Sequence, residues 1–143
     1  MRIGIFVNTP AQWHFWKIIA KKLVENGNEV KMLFRNYLET LEVIETVERY
    51  IYSSNASSKY GKLLYLPVDI VKACRYLRKS KPDVVVGFGI YDTSASFLLR
   101  KKNIVFNDSE PTGNQYLKIQ YKLFTPFIDA IITPDSFLVD LGK

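Results

Sequence analysis

The sequence of 143 residues contains a single cysteine, Cys74, and a single histidine, His14. That scarcity excludes several chemistries at once. A disulfide framework, a Cys-rich zinc site, a Cys-His nucleophile pair and a two-His metal site cannot be assembled within the chain. Long apolar runs are lacking too. No stretch approaches the roughly 18 consecutive apolar residues of a membrane span. The opening run Arg2-Ile3-Gly4-Ile5-Phe6-Val7, closed by Asn8 and Pro10, is too short for the apolar region of a signal peptide. The chain is therefore read as cytoplasmic. It has no internal repeat, low-complexity segment or domain linker, no helix-turn-helix, zinc-finger or RNP-like pattern, and no Gly-x-x-x-x-Gly-Lys-Ser/Thr phosphate loop. No cofactor or metal is implied, and no nucleic acid is expected.

What is present describes one globular domain. Hydrophobic residues make up 48% and charged residues 24%, and 20 Lys+Arg against 14 Asp+Glu give a net charge of +6. A chain of this size buries roughly 70% of the surface its unfolded form exposes, enough for a core without staples. The positive charge sits in short groups, Lys21-Lys22, Arg78-Lys79-Ser80-Lys81 and Arg100-Lys101-Lys102, which suits a phosphorylated ligand or an anionic surface. Cys74, in a basic helical segment, reads as packing rather than as a reactive thiol.

Short runs rich in Ile, Val and Phe alternate with amphipathic stretches. Strands are expected at 2–7, 29–34, 50–53, 83–88, 103–107 and 130–133, and helices at 10–26, 37–48, 63–80, 93–100 and 114–125, with a final turn from Ser136. Thr9 suits an N-cap, Pro10 the first helical position and Gly27 the left-handed residue after the first helix. Pro67 is awkward inside a helix, so the third helix is expected to begin near it, after a separate turn. This β-α-β-α pattern with continuously apolar strands predicts an α/β fold. The expected form is a doubly wound, Rossmann-like parallel sheet of about six strands in the order 3-2-1-4-5-6, with helices on both faces.

In that order, ligands bind outside the carboxyl ends of strands one and four. Three loops meet there: Asn8-Thr9-Pro10, the stretch from Gly87 to Asp92, and the stretch from Asn107 to Gly113. The pair Gly87-x-Gly89 is read either as a tight strand-to-helix turn or as a place where a ligand approaches the backbone. His14, on the helix side carrying Lys17, Lys21 and Glu25, is either an idle surface residue or a contact for an anion or sugar near the helix start. Asp108 and Glu110, with Asp92 nearby, could supply a general base or hold sugar hydroxyls, or serve as ordinary loop and cap residues. Trp13, Phe15, Trp16, Phe88 and Tyr91 are either an apolar wall at the crevice or core.

Several segments carry a resemblance: 8–16 (NTPAQWHFW), 27–30 (GNEV), 81–84 (KPDV), 104–110 (IVFNDSE) and 131–137 (IITPDSF). Together they resemble the uncharacterised domain-of-unknown-function family 354. That family is similar in turn to the glycosyltransferase B (GT-B) superfamily, which includes UDP-N-acetylglucosamine 2-epimerases and the peptidoglycan N-acetylglucosaminyltransferase. The resemblance runs in order along nearly the whole chain. It supports His14, Asp108 and Glu110 as matched positions, read as catalytic, while the switch-point topology places ligand contacts at Asn8, Thr9, Gly87, Gly89, Asp92 and Asn107. Gln12, Phe88 and Pro111 stand where the family pattern has histidine, which counts against catalysis by this chain.

The resemblance further implies that residues 1–143 are the N-terminal, acceptor-side half of a two-domain protein, either a fragment or a natural subunit. A C-terminal donor domain or separate subunit would complete the site, with a nucleotide-sugar and a glycan or lipid-linked acceptor as ligands. Two readings stand: half of a glycosyltransferase or nucleotide-sugar epimerase, and a non-catalytic binding or scaffolding module. The helix at 63–80 carries Leu66, Ile70, Ala73 and Leu77 as an apolar stripe beside Lys72, Arg75, Arg78 and Lys79. It is either a surface helix packed on the sheet or a weak, peripheral contact to anionic membrane.

Overall fold

A computed structural model of the chain describes residues 1–36, 49–54, 59–107, 122 and 124–136. Six strands, β1 (Arg2–Val7), β2 (Glu29–Phe34), β3 (Arg49–Ile51), β4 (Val84–Gly87), β5 (Lys102–Phe106) and β6 (Ala130–Ile132), form one parallel sheet in the order β3-β2-β1-β4-β5-β6. This is the doubly wound arrangement expected from the sequence. β1 lies at the centre, with Ile5 opposite Met32 on one side and Val86 on the other.

The two-residue period of β1 sorts its side chains between two cores. Ile3, Ile5 and Val7 join Trp13, Trp16 and Ala20 of helix α1 (Pro10–Glu25) on one face. Phe6 joins Ala73, Cys74 and Leu77 of helix α2 (Lys59–Ser80), with Tyr91 and Ala95 of helix α3 (Ile90–Leu99), on the other. The result is three layers, helix on sheet on helix. Cys74 is packed in the second core, where burial raises its thiol pKa against a smaller opposing pull from Arg78. The inner stripe of α2 is the expected one, since Leu66, Ile70, Ala73 and Leu77 all belong to or pack against that core.

Two helix starts differ from expectation. α2 runs unbroken through Pro67 from Lys59, eight residues before the proline, instead of beginning near it. Pro67 is exposed, so its ring lies on the water side of the helix, where a missing helical hydrogen bond costs least. α3 begins at Ile90, not at 93, because Asp92 is its third residue and reaches back to cap the helix. Strand ends shift by one or two residues: β3 stops at Ile51, although the Tyr52 amide still donates to the Phe34 carbonyl at 3.1 Å. The helix expected at 37–48 and most of that expected at 114–125 lie outside the described residues, as does the chain beyond Ser136. Thr125 itself opens a short 3-10 turn, Thr125–Phe127.

Candidate functional site

The carboxyl ends of β1, β4, β5 and β6 open onto one cleft of about 490 Å³. Its first wall is the start of α1. Thr9, extended at φ −141°, caps the helix by accepting the Gln12 amide on Oγ1 at 3.2 Å. The Gln12 side chain reaches back and accepts the Asn8 amide on Oε1 at 2.8 Å. These two bonds, one at the cap and one a residue before it, fix the β1-to-α1 turn without glycine. Both Thr9 and Gln12 line the cleft. Asn8 is used otherwise: its Oδ1 accepts the hydroxyl of the buried Tyr52 at 2.5 Å, tying the turn to the opposite layer.

The second wall is aromatic. Phe15 of α1, Phe88 of the turn after β4 and Phe106 of β5 meet with ring centroids 5.3 to 6.1 Å apart. Phe15 remains 41% exposed, so the cup they form opens to solvent. Ile132 and Pro134 continue the apolar surface, while Asn107 and Thr133 add polar groups. No charged side chain lines this cleft among the described residues.

The β4-to-α3 turn explains the glycine pair. Gly89, the N-cap of α3, has φ 145° and ψ −122°, a conformation essentially closed to residues with a side chain. Gly87 leaves room for Asp92: a Cβ there would lie 2.4 Å from Asp92 Cγ and 2.5 Å from Oδ1. Asp92 is fully buried, its Oδ1 accepting the Gly89 amide at 2.9 Å and its Oδ2 accepting Asn103 Nδ2 at 3.4 Å. Asn103 is held in turn by Thr93 at 3.0 Å and by the Val85 carbonyl at 3.3 Å. Burial pushes the Asp92 carboxyl pKa up from 3.8 to about 7, against the lowering effect of amides from Gly89, Asp92 and Phe88 and the Asn103 side chain. The amides at the start of α3, where an anionic ligand would be favoured, therefore already surround the protein's own carboxyl group.

Of the residues expected at the site, Thr9 and Asn107 line the cleft. Gly87 and Asp92 are buried in the turn beside it, and Gly89 caps α3. His14 is exposed on α1 and does not line the cleft. Asp108 and Glu110 lie outside the described residues, directly after Asn107. The aromatic set divides: Phe15 and Phe88 form the wall, Trp13 and Trp16 are core, and Tyr91 packs on the other face 5.2 Å from Tyr52. Sequence reasoning missed Gln12 as a cap partner, although Thr9-x-x-Gln12 has the capping-box spacing. It also missed Phe106, Ile132 and Thr133, which the strand order brings to the same edge.

No family model matches the chain, and no curated protein does. Solved structures are similar to it. MurG of Acinetobacter baumannii has a TM-score of 0.69 at 17% identity, over 98% of this chain and 43% of that one. UDP-GlcNAc 2-epimerase of Neisseria meningitidis, bound to UDP-GlcNAc, has a TM-score of 0.70 at 15% identity, over 90% and 39%. The Rickettsia bellii UDP-N-acetylglucosamine 2-epimerase has a TM-score of 0.72 at 13% identity, over 95% and 39%. The chain thus spans about two-fifths of the length of each. The likeness establishes the fold: a Rossmann-like α/β domain of the kind that GT-B-type glycosyltransferases and UDP-GlcNAc 2-epimerases contain.

Proposed function

We propose that this domain is the acceptor-side half of a GT-B-type, nucleotide-sugar-using protein, related to domain-of-unknown-function family 354 and working in the cytoplasm. A second domain or subunit would complete its active site. The observation that carries the reading is the cleft at the topological switch of the sheet, where this class of fold places its ligands. Its aromatic cup suits the apolar face of a sugar ring, and Thr9, Gln12, Asn107 and Thr133 suit its hydroxyl and amide groups. With no charge among the described lining residues, the cleft suits a neutral acceptor better than a diphosphate, which the second domain would hold.

The general base for transfer would come from Asp108 or Glu110, next in the chain after the cleft residue Asn107. A specific observation keeps the non-catalytic reading alongside: the described residues that line the cleft include neither acid nor base. Adding di-N-acetylchitobiose, an uncharged glycan, is expected to shift the amide resonances of Thr9, Ala11, Gln12, Asn107 and Thr133 in the NMR spectrum. Shifts confined to the amino ends of the strands, or none at millimolar glycan, would refute the assignment.

A lipid-linked acceptor would bring the domain to a membrane surface. Among the described residues no helix is long and apolar enough to cross a membrane. The outer face of α2, however, carries exposed Leu64, Tyr65, Val68 and Val71, with Arg75 and Lys79 beside them. Attraction of about 1 kcal/mol per basic residue near an anionic surface, added to insertion of those side chains, favours weak reversible binding. Co-sedimentation is expected with vesicles containing phosphatidylserine and not with neutral ones, and it should weaken at high salt. Equal partitioning onto both, or none onto either at low salt, counts against a membrane acceptor.

A further inference from the structure

The basic groups at 78–81 and 100–102, separated in the chain by β4 and α3, meet at the amino end of the sheet, opposite the cleft. The ends of α2 and α3 and the start of β1 enclose a groove of about 360 Å³ there. Five cations line it: Arg2, Arg78, Lys81, Arg100 and Lys101. Arg2 is partly neutralised by Asp83, 3.5 Å away, and the other four have no ion-pair partner among the described residues. The remaining lining is Leu77, Leu98 and Leu99.

The helix ends give an independent sign. α1 closes with Gly27 in the left-handed conformation at φ 78°, the Gly27 amide donating to the Val24 carbonyl and the Asn28 amide to Leu23. α3 closes with the same two bonds, Arg100 to Phe97 and Lys101 to Ser96, but its left-handed residue is Arg100 at φ 52°. α2 closes with Lys81 at φ 47°, bonded to the Leu77 carbonyl at 2.8 Å. Glycine is the residue this conformation favours. The chain places glycine at the helix end away from the groove and long cations at the two ends that line it. A helix dipole accounts for basic residues in a last turn, which α2 already has in Arg78 and Lys79, but it does not require a cation at the strained position itself. Like charges gathered around one groove repel each other until an anion joins them.

We infer that this groove binds a polyphosphate anion, a pyrophosphate or a phosphate ester of at least two negative charges, with the exposed Leu98 against the ester's apolar part. The site lies at the far end of the sheet from the cleft, so its occupant is a second ligand and not the acceptor.

Isothermal titration of the protein with inorganic pyrophosphate near physiological salt is expected to show saturable one-to-one binding. Lys81→Gly with Arg100→Gly should weaken it at least tenfold while raising the melting temperature, because glycine relieves both strained positions. Arg78→Gln with Lys101→Gln, which leaves those positions intact, should also weaken binding at least tenfold. Lys17→Gln with Lys22→Gln on α1, an equal loss of charge, should leave it within about twofold. The inference is overturned if the groove variants bind as the wild type does, or if the α1 variant weakens binding as much as they do. It is equally overturned if pyrophosphate gives no saturable signal while duplex DNA or phosphatidic-acid vesicles bind.

Discussion

Gly87→Ala is expected to destabilise the protein by roughly 3–6 kcal/mol, a large part of the 5–15 kcal/mol that holds a domain of this kind folded. The added Cβ would meet three Asp92 atoms at 2.4 to 2.7 Å, and Asp92 has nowhere to retreat. Its carboxyl is pinned between the Gly89 amide and Asn103 in a fully buried site. Admitting the methyl therefore combines overpacking with loss of the α3 cap and leaves the Asn103 amide short of a partner. Urea unfolding of the variant measures the loss. A second change, Asp92→Ala, removes the two closest of those three atoms and leaves only its Cβ at 2.7 Å, so the double variant should recover more than 1 kcal/mol relative to additive single effects. A Gly87→Ala protein within 1 kcal/mol of wild type would show that the turn yields where the geometry says it cannot.

The pH dependence of stability is expected to carry the signature of the same group. The Asp92 carboxyl has a folded pKa of about 7 against an ordinary value of 3.8, so the native state holds its proton more tightly than the unfolded chain does. The resulting stability is fully present below about pH 4, declines as pH rises toward 7, and is gone above it. At 1.36 kcal/mol per pKa unit the full swing is about 4 kcal/mol. Asp92→Asn retains an acceptor for the Gly89 amide but has no proton to exchange. The stability difference between the two proteins, from urea midpoints between pH 4.5 and 8.5, should therefore move steadily in favour of the variant up to pH 7 and level off beyond. Asp83 works in the opposite direction. Its carboxylate accepts the Arg2 amide, which holds its pKa low, so its contribution is present above the ordinary carboxylate range and is lost as pH falls through its own lowered value. The two titrations thus separate on the pH axis. A flat difference curve would mean that Asp92 is ionised throughout.

The sheet was legible because its strands are buried on both faces and read as unbroken runs such as Val84-Val85-Val86. Strand order followed from crossover handedness, and α1 from Thr9, Pro10 and Gly27 at its ends. What escaped was set by contacts between residues distant in sequence. Pro67 was read by its local penalty, whereas its place on the exposed side of α2 decides how little that penalty weighs. Asp92 looked like a crevice carboxylate because its sequence position does not reveal that Gly87, five residues earlier, makes a pocket for it. Likewise, Phe106 and Thr133 become neighbours of Thr9 only once β4 and β5 are laid beside β1.

The place of β1 at the centre of the sheet bears on how the chain is made. Of the six strands it is the first to leave the ribosome, and β2 can pair with it almost at once, Arg2 against Glu29. Its other side must wait for β4, and the latch that closes the pair, the Arg2 amide on the Asp83 carboxylate at 2.8 Å, joins residues 81 apart. At 5–20 residues per second that wait is on the order of ten seconds, during which Ile3 and Ile5 have an open backbone edge beside them. Nascent-chain pausing between β2 and β4 would prolong this interval, and synonymous codons in that stretch should affect the yield of folded protein although they change no residue.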